Sequence, residues 1–256
     1  MPEVSSYAPG TPAWVDLGST DFAAAQAFYC GLFGWQAAGG GPGSGGYCMF
    51  QKEGRTVAGL APVMTDAQPR AWTTYVRVAD ADATVARARR AGADVLMDPL
   101  DVLDAGRMAL FADPTGASLA LWQPRAHHGA DVAHEVGAYC WSELQTRDRA
   151  AAAAFYGAVF SWRARVADEG PAPYTEWRCG DETVGAMVEV GAEIPPQVPA
   201  HWLVHFGVAD CDEAVARAAR LGGVALAGPA GTPRGRVGVL SDPAGAVFAV
   251  MAVRPA

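Results

Sequence analysis

Lysine is almost missing from this 256-residue chain: Lys52 stands alone against eighteen arginines. Positive charge is short overall, with a formal net charge of −8. A duplex phosphate backbone repels such a surface, so nucleic acid is excluded as the expected partner. Cysteine pairs are missing too. Cys30, Cys48, Cys140, Cys179 and Cys211 are odd in number and contain no Cys-x-x-Cys motif. This argues against a disulfide framework and for a reduced, cytoplasmic compartment. The first residues, Met-Pro-Glu-Val-Ser-Ser, hold no basic region followed by an apolar run, and no stretch is long enough to span a bilayer. A soluble protein without membrane contact is expected.

What is present is a duplication. Trp14, Asp21, Phe28-Tyr29 and Trp35 return as Trp141, Asp148, Phe155-Tyr156 and Trp162, each 127 residues later. Asp21 suits a helix N-cap, because its carboxylate can accept from the first free backbone N–H groups. Phe22, Ala25, Tyr29, Leu32 and Phe33 then recur at helical spacing up to Gly34. Tyr47-Cys-Met-Phe and Tyr174-Thr-Glu-Trp keep the same offset, as do Val57-Ala-Gly and Val184-Gly-Ala, and these read as strands around a Gly-rich turn. A second strand–Asp–helix opening follows in each half, at Asp80 and Asp210, with Ala/Arg-rich helices that end at Gly92 and Gly222. Each half closes on a turn, Asp113-Pro-Thr-Gly116 or Asp242-Pro-Ala-Gly245, of type I character and structural role.

Four strand–helix–strands units result, at about 13–62, 70–125, 138–190 and 200–254. Their order and openings resemble the vicinal oxygen chelate (glyoxalase/bleomycin resistance/dioxygenase) superfamily, in the tandem two-domain glyoxalase-like form. The resemblance implies an α+β fold of four βαβββ modules in two domains, each with a curved mixed sheet around a cleft. The first domain is expected over 1–126, a linker over 127–137 and the second domain over 138–256. The resemblance also implies a divalent metal held by residues seven before each capping Asp and by a Glu four after the turn Gly. In this chain those positions hold Trp14, Thr73, Trp141, Leu203, Ala120 and Ala249. An indole only donates, and alanine and leucine offer no lone pair. No metal and no cofactor is therefore expected.

Side chains on a strand alternate faces, so residues two beyond those seats share the cleft. They are Asp16, Tyr75, Glu143 and His205, each five before a capping Asp. Two readings stand side by side. Glu143 with His205, and Asp16 with Tyr75, form proton-transfer pairs, or they are buried polar groups that satisfy one another. His201 shares the face of His205, either as part of an unorthodox metal site with Glu143 or as a cap on the strand entrance. Trp14, Trp141, Trp72, Trp122, Trp202, Tyr47, Phe50 and Tyr174 are the expected ligand-contacting aromatics. Arg55, Arg107 and Arg236 are candidates for an anionic group, with solvated strand ends as their plainer reading.

The leading expectation is a protein without the usual metal ligands that binds an apolar or aromatic small molecule in its clefts, as a resistance or accessory protein of natural-product metabolism. The alternative is an enzyme of lyase, isomerase or hydroxylase/oxygenase type, acting through Glu143/His205 or Asp16/Tyr75. Two domains in one chain already supply the pairing that single domains obtain by dimerising, which favours a monomer over a dimer.

Overall fold

A computed structural model describes residues 6–40, 45–63, 70–168, 174–191, 194–232 and 234–253. The Gly-rich loop expected at 39–46 falls partly outside them, as do both chain ends. The first unit runs β1 (Pro12–Ser19), α1 (Phe22–Phe33), β2 (Gln36–Gly39), β3 (Cys48–Lys52) and β4 (Arg55–Pro62). The second is β5 (Trp72–Arg77), α2 (Ala81–Arg90), β6 (Asp94–Val102), β7 (Gly106–Ala112) and β8 (Ser118–Pro124). The third is β9 (Tyr139–Thr146), α3 (Arg149–Phe160), β10 (Arg163–Asp168), β11 (Tyr174–Cys179) and β12 (Glu182–Glu189). The fourth is β13 (His201–Val208), α4 (Cys211–Arg220), β14 (Val224–Thr232), β15 (Gly235–Ser241) and β16 (Val247–Ala252). This is the α+β, four-module βαβββ architecture that the family resemblance implies.

The helices start where the sequence marks them. The carboxylates of Asp21, Asp80, Asp148 and Asp210 each accept from a backbone N–H three residues on, at 2.8–2.9 Å. Gly34 ends α1 in the left-handed region at φ 73°, and Ser161 takes the same conformation after α3. No described helix is long and apolar enough to cross a membrane.

Two eight-stranded open sheets form, in the orders β2-β3-β4-β1-β5-β8-β7-β6 and β10-β11-β12-β9-β13-β16-β15-β14. In each, the first strands of the two modules meet antiparallel at the centre, Trp14 opposite Tyr75 and Trp141 opposite His205. All four helices lie on the opposite sheet faces, between the two domains. One core joins Phe28, Tyr29 and Leu32 of α1 to Phe206, Ala214 and Phe248 of the second domain; the other joins α2 and α3 with Phe111, Leu119 and Trp202.

Reciprocal hydrogen bonds lock this arrangement. The Tyr29 hydroxyl donates to Asp242 Oδ2 at 3.1 Å, and the Tyr156 hydroxyl donates to Asp113 Oδ2 at 2.8 Å. Each tyrosine thus reaches from one domain into the other domain's Asp-Pro-x-Gly turn. The other carboxylate oxygen builds the turn: Asp113 Oδ1 accepts from Thr115 and Ala117 N–H, and Asp242 Oδ1 from Ala244 and Ala246 N–H. Trp72 and Trp202 donate to Tyr29 and Tyr156 at 2.9 and 2.8 Å. Trp35 and Trp162 donate across the interface to Gly137 O and Gly10 O, both at 2.7 Å. Burial and the neighbouring carboxylate hold both tyrosines far above the usual phenol pKa, so they remain donors.

Three expected ligand contacts are corrected here. Trp72, Trp202 and Phe50 point into the interdomain cores, not into the clefts. They sit at the opposite strand parity from Tyr75, His205 and Met49, and alternation sends them to the helix side.

Tyr156→Phe leaves a buried carboxylate oxygen without its donor. We expect a loss of about 1.5–3 kcal/mol, the cost of a hydrogen bond to a charged group. Urea unfolding measures it, and an unchanged midpoint would show that the bond carries no domain docking.

Candidate functional site: two unequal clefts

With the helix faces buried against each other, the opposite sheet faces turn outward as two clefts. In the first, Trp14, Tyr75 and Ala120 share one row across β1, β5 and β8. Asp16 lies next along β1, opposite Thr73 and Gly59. Asp16 Oδ2 accepts from Tyr75 OH at 2.8 Å and from Tyr47 OH at 3.1 Å, and Tyr47 OH accepts from Trp14 Nε1 at 2.9 Å. Sequence parity thus places Asp16 and Tyr75 together as expected. Burial pushes the Asp16 carboxyl up to about 6, against the lowering effect of the two phenols. The glycine at Gly59 is required here, because a Cβ would collide with the Tyr47 hydroxyl and sit 2.9 Å from the Asp16 Cβ.

The chain fills this cleft with itself. Trp122 lies across Gly106, where a Cβ would meet its ring at 2.5 Å. His127, from the segment between the domains, sets its imidazole edge-on to Trp14 and Trp122, with centroids 4.6 and 5.7 Å apart. Its carbonyl accepts from Trp122 Nε1 at 2.8 Å. Burial lowers the His127 pKa to about 4, and its buried Nε2 has no hydrogen-bond partner among the described residues.

The second cleft keeps the row and changes its occupants to Trp141, His205 and Ala249. Ala186 stands opposite Glu143 as Gly59 stands opposite Asp16. Tyr174 OH accepts from Trp141 Nε1 at 3.1 Å, but no hydrogen bond joins it to Glu143 among the described residues. Met251 replaces the large Trp122 at the matching place on the last strand. A cavity of about 50 Å³ is left, lined by Trp141, Glu143, Tyr174, His205, Thr232, Arg234, Val237 and Met251. A larger groove of about 260 Å³ lies between the domains at Arg87 and Phe160. Arg87 is already committed there to Val159 O and Thr84 Oγ1 at 3.3 and 2.8 Å.

The polar groups of the second cavity are tuned by burial. A carbonyl can only accept, so the 3.1 Å contact to Leu203 O fixes the proton on His205 Nδ1 and leaves the Nε2 lone pair free. Burial lowers the His205 pKa to about 4, so the ring is neutral near pH 7. Glu143 rises to about 7, because its burial outweighs the lowering effects of Gln145 and Arg234. Glu143 and His205 line one cavity but make no hydrogen bond to each other. The Arg234 guanidinium lies 3.6 Å from the Trp141 ring centroid and pairs with Glu176 at 3.1 Å.

His201 stays outside the cavity. Its Nδ1 contacts Pro199 O at 2.9 Å, at the entrance of β13. Arg107 is tied to Asp82 and Asp101, Arg236 to Asp212, and Arg55 lies near Glu53 and Glu135. The arginine in the cleft is Arg234, to which no spacing in the sequence points. Counting seven back from the caps also misses the row partners. β5 and β13 reach their caps two residues sooner than β1 and β9 do, so Tyr75 and His205, not Thr73 and Leu203, face Trp14 and Trp141. The rows therefore offer one phenol, already bonded to Asp16, and one imidazole. Among the described residues no three His, Cys, Asp or Glu side chains converge as a metal site. This donor set does not fit a His/Glu-ligated divalent cation.

Comparison with known proteins places these features in context. Residues 11–121 match the Glyoxalase/Bleomycin resistance protein/Dioxygenase superfamily, and residues 141–251 match the Glyoxalase-like domain family. The chain is 42% identical over 268 residues to the anthracycline biosynthesis protein DnrV of Streptomyces peucetius, covering 98% of this chain and 96% of that protein. It is 42% identical over 262 residues to CFP32 of Mycobacterium tuberculosis, covering 100% and 99%. The Mn(II)-bound glyoxalase from Novosphingobium aromaticivorans shares the fold with a TM-score of 0.66 at 18% identity, over 95% of this chain and 82% of that one.

Asp16 gives a pH test. Its folded pKa of about 6 lies above the ordinary 3.8, so the folded state binds more protons in between. Its contribution to stability is therefore lost as pH rises from about 4 to 6, by at most about 3 kcal/mol. Asp16→Asn keeps an acceptor for both phenols and removes the titration. The variant should gain stability relative to wild type by on the order of 1–3 kcal/mol more at pH 7.5 than at pH 4. Equal differences at the two pH values, measured by urea unfolding, would refute the assignment.

Proposed function

The chain belongs to the glyoxalase/bleomycin resistance/dioxygenase superfamily, and from that premise we propose that its second cleft binds a planar aromatic small molecule without a bound metal. The protein then serves natural-product metabolism as an accessory or sequestering protein. The observation that carries this reading is the contrast between the clefts. Trp14 is covered by Tyr47, Trp122 and His127 from the chain's own packing, whereas Trp141 is covered by the Arg234 guanidinium alone and borders a cavity of about 50 Å³ that His205 and Glu143 also line. A large indole face beside a few orienting polar atoms is the usual make-up of a site for a flat, largely apolar ligand. DnrV is an anthracycline biosynthesis protein, anthracyclines are aromatic polycycles, and the likeness to it supports the ligand class by analogy.

An enzymatic reading has its own observation. The His205 Nε2 lone pair and the Glu143 carboxyl, near pKa 7, border one cavity, a pairing suited to moving a proton on a bound ligand. It needs neither Asp16 nor Tyr75, whose polar atoms are engaged with each other.

Fluorescence titration with a hydroxyanthraquinone tests both readings at once. Trp141→Ala should weaken binding by about 1–3 kcal/mol, and Trp14→Ala should leave affinity unchanged. Equal affinity in wild type and Trp141→Ala would remove the site. Recovery of the probe unchanged by mass spectrometry supports sequestration, and a product lost in Glu143→Gln supports catalysis.

A further inference from the structure

Arg234 occupies the surface that the ligand is to use. Its guanidinium carbon lies 3.6 Å from the Trp141 ring centroid, and the cavity they both line is about 50 Å³. An enclosed apolar cavity that holds a single benzene ring measures about 150 Å³. No aromatic ligand therefore reaches the face of Trp141 while Arg234 remains there. The planar guanidinium is itself a stand-in for a flat π-system.

The hold on Arg234 is built to be exchanged. Apart from its contacts with Trp141 and Tyr174 and the attraction of the Glu143 carboxyl in the same cavity, one ion pair fixes it, to Glu176 Oε1 at 3.1 Å. Glu176 is also bound by Arg165 at 2.7 Å, so it stays paired when Arg234 leaves. Arg234 sits just before β15, its side chain 29% exposed. In the first domain the residue just before β7 is Ala105, which packs into the Trp14–Trp122 cluster and has no charge to offer. A guanidinium drawn off an indole face next needs an acceptor, and an anionic group on the incoming ring supplies one in forked geometry.

We propose that Arg234 is the specificity-determining gate of the second cleft: it covers Trp141 in the resting protein, yields that face to a planar aromatic acid, and then binds the ligand's anionic group. This rests on the reading of the second cleft as an aromatic-ligand site. It adds that the preferred ligands are acids, and that neutral rings of the same shape must displace Arg234 without recompense.

The test compares anthraquinone-2-carboxylate with its methyl ester, two probes of one ring system and different charge, by titration calorimetry. Wild type should bind the carboxylate about 10-fold or more tighter than the ester. In Arg234→Ala the carboxylate should weaken by roughly 10–100-fold, and the ester should bind no more weakly than to wild type. Glu176→Gln, which loosens the resting hold and keeps Arg234, should tighten the carboxylate by up to about 5-fold. Near-ultraviolet circular dichroism checks that each variant keeps the wild-type fold. Equal affinity of wild type for both probes, or equal weakening of both in Arg234→Ala, overturns the gate while leaving the aromatic site. No binding of either probe to wild type or Arg234→Ala overturns the site and the gate with it.

Discussion

The hydrogen bond from a helix tyrosine to the turn aspartate of the other domain is the constraint on which the architecture rests. It is made twice, Tyr29 to Asp242 and Tyr156 to Asp113. Each aspartate spends one oxygen on its own turn and the other on the partner domain, so turn formation and domain docking share one side chain. The indoles of Trp72 and Trp202 complete each chain of donors, and Trp35 and Trp162 add a second reciprocal pair. Burying the helices between the sheets satisfies their apolar faces without a second copy of the chain. It also leaves the opposite sheet faces, with Trp14 and Trp141, outside the interdomain cores.

Duplication then gave two clefts of one design, and a few substitutions made them unequal. Gly59 lets Tyr47 close onto Asp16, whereas Ala186 stands at the matching place in the second half, beside the longer Glu143. Trp122 and His127 fill the first cleft, and Met251 leaves space in the second. The buried, unpartnered His127 Nε2 is a cost of about 1–3 kcal/mol that the plug carries for its aromatic contacts. The first cleft is thus closed by packing and by a saturated Trp–Tyr–Asp network. The second keeps a neutral imidazole, a carboxyl near pKa 7 and a cation around a small space.

Much of the fold was legible because it is written in local chemistry that repeats. A capping aspartate, a helical run and a Pro-Gly turn each have a short-range cause, and four recurrences in order fix the module count. The placement of Asp16 beside Tyr75, and of Glu143 and His205 in one cleft, followed from strand parity and repeat position, counted from the seats that the resemblance implies. Aromatic residues were harder. Trp72, Trp202 and Phe50 suit either face of a sheet by composition, and only parity separates them from Tyr75 and Trp141. Arg234 had no such signal, since its place over Trp141 of β9 is a long-range contact that no spacing encodes. The same holds for His127, whose position in a connecting segment gave no sign that it packs between two tryptophans.

The unequal clefts are tested most directly by the indole N–H resonances of the eight tryptophans in a nitrogen-15 correlation spectrum, with and without saturating hydroxyanthraquinone. Occupation of the second cleft predicts a large shift of Trp141, while Trp14 and Trp122 hold their positions. Shifts centred on Trp14 and Trp122, with Trp141 unmoved, would contradict it and make the first cleft the working site.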